Sequence, residues 1–92
     1  MELLELKAIY DIRKSFYNKA LVQFKGLTIF LYSFGVEVAR IEKVYINDAW
    51  QKRLYINGYY SQTTARHINE FLKQNGFNGM TKKEIEVYKN EY

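Results

Sequence analysis

Hydrophobic and polar positions change their spacing partway along the chain. From Lys19 to about Ile56 they alternate with period two, as strands do, and after Ser61 they recur at intervals of three and four, as helices do. In "ALVQFK", Leu21 and Gln23 fall on one face and Val22 and Phe24 on the other, and Gly26 supplies a turn. In "LTIFLYSF", Ile29 and Leu31 face one way and Phe30, Tyr32 and Phe34 the other. Both faces of that segment are apolar, which places it in the middle of a sheet. Gly35 marks a turn or a bulge. "VEVARIEKVYIN" continues as one strand or two until Asn47-Asp48 breaks it. Trp50 then opens a short polar piece, and "RLYI" forms a last strand before Asn57-Gly58.

The first helix follows Ser61. Ala65, Ile68 and Leu72 form its apolar stripe, widened by Phe71, while Arg66, Asn69, Glu70 and Lys73 face the other way. Asn75-Gly76 ends it, with Gly76 able to take the left-handed conformation of a helix stop. In "MTKKEIEVY", Thr81 and Glu84 have capping-box spacing, Met80 and Ile85 sit where a hydrophobic staple would, and Ile85, Tyr88 and Tyr92 make an apolar stripe. At the other end, residues 2–10 fit a short helix or an edge strand. Asp11 and Ser15 suit turns, and Arg13 to Tyr17 suit one helical turn. Strands followed by helices predict an α+β fold: a small antiparallel sheet of three to five strands, a packed helix, and a short C-terminal helix. The 92 residues make one domain, 1–92, with no linker, repeat or low-complexity run.

Composition narrows the chemistry. Hydrophobic residues are 48% of the chain and aromatics 17%, too apolar for a disordered tail. With no cysteine, disulfide staples and thiolate zinc sites are excluded, and a single histidine gives no histidine cluster for a metal. No stretch approaches the roughly 20 apolar residues of a membrane span. The N-terminus is acidic before it is basic, the reverse of a secretory signal, so a cytoplasmic protein without a membrane partner is expected. The net charge of +4 favours anionic partners without requiring one.

Candidate chemistry concentrates in "NGYYSQTTARHINEFLKQNGF". Ser61, Thr63 and Thr64 lie where a helix begins and leaves amides without partners. They read as an N-cap, or, with Arg66, as a candidate anion site at the positive helix end. His67 lies beside Phe71, and a serine–histidine nucleophile would need an orienting group and an oxyanion site that the sequence does not supply. The carboxylates are scattered. No catalytic residue, metal site or cofactor is assigned. The stripe Phe30, Tyr32, Phe34 reads as core or partner interface, or, if its face is open among Lys25, Arg40 and Arg53, as a base-stacking surface. The basic steps Arg13-Lys14 and Lys82-Lys83 read as solvated surface or as steering charge. The nine tyrosines favour an interface.

Three stretches, "YDIRKSFYNKA", "LYSFGVEVARI" and "YYSQTTARHINEFLKQNGF", resemble a family of small uncharacterised proteins carried by phages and plasmids of low-GC Gram-positive bacteria. The matching residues are Tyr10, Asp11, Arg13, Lys14, Ser15 and Phe16; Leu31, Tyr32 and Ser33; and Tyr60, Ser61, Thr63, Thr64, His67 and Ile68. The chain departs at residues 1–9 and at "KVYINDAWQKRLYI", a longer segment that would carry a function peculiar to this chain if it is an insertion. The resemblance implies a setting rather than an activity: a mobile-element protein in the bacterial cytoplasm that acts by binding. The expectation is a non-enzymatic inhibitor of a host defence protein, an antiviral nuclease of the CRISPR kind. Contact would run through Tyr32, Trp50, Arg53, Tyr55, Tyr59, Tyr60 and Arg66. The alternatives are a nucleic-acid-binding protein using a basic, tyrosine-rich face, and a homodimer pairing through an exposed strand such as residues 36–41.

Overall fold

In the computed structural model, which describes residues 3–12 and 15–88, each strand lies beside its neighbour in sequence. The five antiparallel strands are β1 (Leu4–Glu5), β2 (Ala20–Lys25), β3 (Thr28–Ser33), β4 (Val36–Ile46) and β5 (Ala49–Ile56). Two helices follow, α1 (Gln62–Gln74) and α2 (Lys82–Val87). The α+β class, the strand range and the order of helices expected from the sequence all hold. Arg13-Lys14 and Tyr92 lie outside the described residues.

Three two-residue turns build the meander, at Gly26-Leu27, Phe34-Gly35 and Asn47-Asp48. Positive φ at Gly26, at Phe34 and Gly35, and at Asn47 and Asp48 gives turns whose twist matches that of the strands they join. Phe34 takes φ 52°, an uncommon conformation for a large side chain, and its ring lies against that of His67, centroids 5.6 Å apart. A register shift between Leu31 and Tyr32 marks a bulge against β4.

Directly paired residues share a sheet face, so the register sorts the side chains. Val22, Leu31, Ala39 and Ile56 form one row across the sheet, and Phe24, Ile29, Ile41 and Leu54 the next. This is the face that α1 covers, where Ile68, Phe71 and Leu72 complete the core with Leu6, Phe16 and Ile85. The opposite face carries Gln23, Phe30, Arg40 and Tyr55 in one row and Thr28, Glu42 and Arg53 in another.

Four expectations need correction. Residues 36–41 are not an exposed edge: β4 lies between β3 and β5, and Val36, Glu37, Ala39, Arg40 and Ile41 pair with β3. The polar piece at Trp50 and the strand "RLYI" are one continuous strand. No helical turn forms at Tyr17, whose positive φ and amide bond to Ser15 Oγ (2.9 Å) make a tight bend. Glu70 does not face solvent: it is 2% exposed beneath the N-terminal segment.

The caps form as the sequence predicts. Ser61 Oγ accepts the Thr64 amide at 3.1 Å, and Thr81 and Glu84 form a reciprocal capping box. Gly76 adopts φ 85° just beyond α1. The Tyr88 hydroxyl donates to the Leu54 carbonyl at 2.9 Å and ties the C-terminal segment to the outer edge of β5.

Candidate interaction surfaces

β3 reaches only as far as Thr28, which pairs with Glu42, so β4 and β5 run on beyond the sheet as a two-stranded arm. The Asn47-Asp48 turn sets its register, with Ile46 opposite Ala49, Tyr45 opposite Trp50, Val44 opposite Gln51 and Lys43 opposite Lys52. Tyr45 and Trp50 meet edge to face, ring centroids 5.3 Å apart, and remain 58% and 61% exposed. They share a face with the Lys43–Lys52 pair, two like charges directly opposed, an arrangement that destabilises a strand pair. Lys52 Nζ relieves part of this by donating to the Asn75 carbonyl at the end of α1, 3.0 Å away. Leu27, Lys43, Trp50, Gln51 and Lys52 line a cleft of about 420 Å³ at the base of the arm. Of the expected contact residues, only Trp50 lies here. Lys43, Tyr45 and Lys52 belong to the stretch "KVYINDAWQKRLYI" set apart in the sequence but were not named as contacts, and Leu27 was not anticipated; a two-residue turn at Asn47-Asp48 fixes the Tyr45–Trp50 pairing by counting outward.

The open sheet face holds Tyr32, Arg53 and Tyr55, three of the expected contact residues, among Lys25, Phe30 and Arg40. Much of its hydrogen-bonding capacity is used internally. Tyr32 Oη donates to Gln23 Oε1 at 3.2 Å, and Tyr55 Oη to Glu42 Oε1 at 3.1 Å. The Arg40 guanidinium lies over the Tyr55 ring, 4.2 Å from its centroid, and makes ion contacts with Glu37 (3.6 Å) and Glu42 (3.5 Å). Arg40 Nε is buried and makes no hydrogen bond. The face is amphipathic and nearly charge-balanced.

The region around α1 separates the remaining residues. Ser61 caps the helix, while the Thr64 side chain turns inward, its hydroxyl 3.0 Å from Ser33 Oγ. Thr63 is exposed, and with Arg66, Lys19 and His67 it helps line a small cavity of about 100 Å³. Arg66 Nη1 pairs with Asp11 at 3.0 Å. The candidate anion set is thus divided between cap, core and ion pair. Tyr59 is partly buried against the core with Lys82 Nζ 5.1 Å from its ring centroid, and Tyr60 is exposed.

Two buried polar groups escaped sequence reasoning. Ser33 Oγ lies 2.8 Å from His67 Nδ1, so the histidine meets a hydroxyl from β3. Both residues are almost fully enclosed, with Phe16 edge-on to the imidazole at 4.7 Å. Glu70 Oε1 accepts the amides of Tyr10 (2.8 Å) and Asp11 (3.0 Å), and Gln74 Nε2 donates to Glu70 Oε2 and to the Lys7 carbonyl, each at 2.6 Å. Among the described residues, no group of three or more His, Asp or Glu side chains could hold a metal ion. None of their helices is long and apolar enough to cross a membrane.

A five-stranded antiparallel meander closed by two helices, with its last hairpin projecting, defines a small α+β domain. The chain belongs to a family of unknown function (DUF8033), whose model matches residues 4–87. No curated protein and no solved structure matches it.

Proposed function

We propose that this chain is a non-enzymatic binding protein of a phage or related mobile element, inhibiting a bacterial antiviral nuclease of the CRISPR kind by covering part of its surface. The observation that carries the binding role is the projecting arm, with Tyr45 and Trp50 exposed at its end and the Lys43–Lys52 pair beside them. Aromatic anchors supply most of the energy of many interfaces, and an opposed lysine pair gains stability from carboxylates brought by a partner. A chain of net charge +4 does not imitate nucleic acid, so occlusion through an acidic protein surface fits it better than mimicry. The mobile-element setting rests on the sequence resemblance.

The test is affinity capture from host lysate with the wild-type chain and with Tyr45→Ala/Trp50→Ala, followed by cleavage assays on any nuclease recovered. Wild type should suppress cleavage, and the double variant should bind at least ~30-fold more weakly, the loss of a strong anchor. Equal inhibition by both chains would remove the arm from the mechanism, and no inhibition by either would sink the inhibitor reading.

The second reading, nucleic-acid binding, is favoured by one feature: Phe30, Tyr32 and Tyr55 share an open face with Lys25, Arg40 and Arg53. Glu37 and Glu42 on that face oppose a phosphate backbone. This reading requires binding that falls steeply with salt, whereas a protein inhibitor binds no free DNA or RNA at physiological salt.

A further inference from the structure

A second surface lies apart from the arm. The outer flank of α1, Asp11, Tyr59 and the start of α2 enclose an open basin of about 610 Å³. Gln62, Ala65, Arg66, Asn69 and Lys73 form one stripe of α1 along its wall, and Tyr59, Met80 and Lys82 close the other side. Three cations therefore line the basin against one carboxylate, Asp11, which is already paired with Arg66. Neither Lys73 nor Lys82 makes an ion pair among the described residues, and the first turn of α1 contains no acidic residue to offset the positive helix end.

The wall is preformed. Asn69 Nδ2 donates to the Met80 carbonyl at 3.0 Å, and its Oδ1 accepts the Met80 amide at 2.5 Å, which locks the 77–80 loop to the helix. Gly79 permits this approach: a Cβ there would stand 2.9 Å from Asn69 Oδ1 and 3.0 Å from Lys73 Cε. The volume falls within the range of small-ligand sites and exceeds what a lone phosphate fills. A partly buried tyrosine ring with Lys82 Nζ 5.1 Å from its centroid suits a flat group joined to several negative charges.

We propose that this basin binds a small polyphosphorylated ligand of nucleoside di- or triphosphate size, with Lys73 and Lys82 on the phosphates and Tyr59 beside the base. The inference is independent of the arm. It is tested by titrating the full-length, isotope-labelled chain with ATP, inorganic pyrophosphate and adenosine while following backbone amides by NMR. ATP should shift Gln62, Ala65, Arg66, Asn69, Lys73 and Lys82 in a saturable way. Pyrophosphate should compete with it, and adenosine alone should bind far more weakly. Lys73→Gln/Lys82→Gln should weaken ATP at least tenfold while leaving the rest of the spectrum in place, and Lys43→Gln on the arm should leave ATP binding unchanged. No saturable shift at millimolar ATP would overturn the proposal. So would an equal effect of the arm and basin variants, because that is diffuse charge attraction rather than a site.

Discussion

The Ser33 hydroxyl and the His67 imidazole meet at 2.8 Å beneath α1, joining β3 to the helix through a polar contact inside an apolar core. The Thr64 hydroxyl, 3.0 Å from Ser33 Oγ, completes the cluster. Ser33→Ala should leave both partners short of a hydrogen bond and destabilise the domain by about 1–3 kcal/mol. Thermal unfolding checks this, with each kcal/mol lowering Tm by about 4–8 °C in a domain of this size. Thr64→Val on the Ser33→Ala background should cost less than Thr64→Val alone, because the two share one network.

Glu70 holds the N-terminal segment from inside the helix by accepting the Tyr10 and Asp11 amides. Glu70→Ala should cost about 1.5–3 kcal/mol, the range for hydrogen bonds to a charged group. Hydrogen exchange should speed up first at Tyr10 and Asp11. Unchanged protection at those two amides would contradict the assignment.

At the arm, stability and binding should move in opposite directions. Lys43→Glu places a carboxylate opposite Lys52 and should stabilise the hairpin by about 0.2–1 kcal/mol. The same change should weaken capture of an acidic partner. Denaturant midpoints and partner affinity measured on the same preparations give both signs.

Gly79→Ala meets an Asn69 side chain that is fixed by two bonds to Met80 and cannot easily yield. The variant should lose about 1–3 kcal/mol, the usual cost of overpacking. Lys73 Cε is the far end of a flexible chain and can move aside, so Lys73→Ala should not rescue the variant, whereas Asn69→Ala should remove the added penalty.

The strands were legible because alternation survives wherever one face is buried, and the helix limits because Ser61, Thr81 and Gly76 are chemically suited to caps and stops. Helical periodicity records which positions are apolar, not what covers the polar ones. Glu70 and Asn69 therefore read as solvent-facing, although residues 7–11 and the 77–80 loop fold over that flank. No local spacing connects Ser33 with His67 across 34 residues. Of the expected contact residues, Arg53 and Tyr55 share a face because they are two apart. Trp50, three from Arg53, goes to the other face once residues 49–56 are a single strand. Setting the polar piece opened by Trp50 apart from the strand "RLYI" concealed that parity.

The order of elements also bears on how the chain reaches this state. All five strands are joined locally, three of the four connections by two-residue turns, so the sheet can assemble with little loop-closure delay. Its cover comes last: Ile68, Phe71 and Leu72 follow every strand in the sequence. During synthesis from the N-terminus, the row Val22, Leu31, Ala39 and Ile56 stands uncovered until α1 has left the ribosome. A truncated chain ending near residue 60 would display a sticky apolar sheet, so chaperone capture and aggregation should mark that fragment.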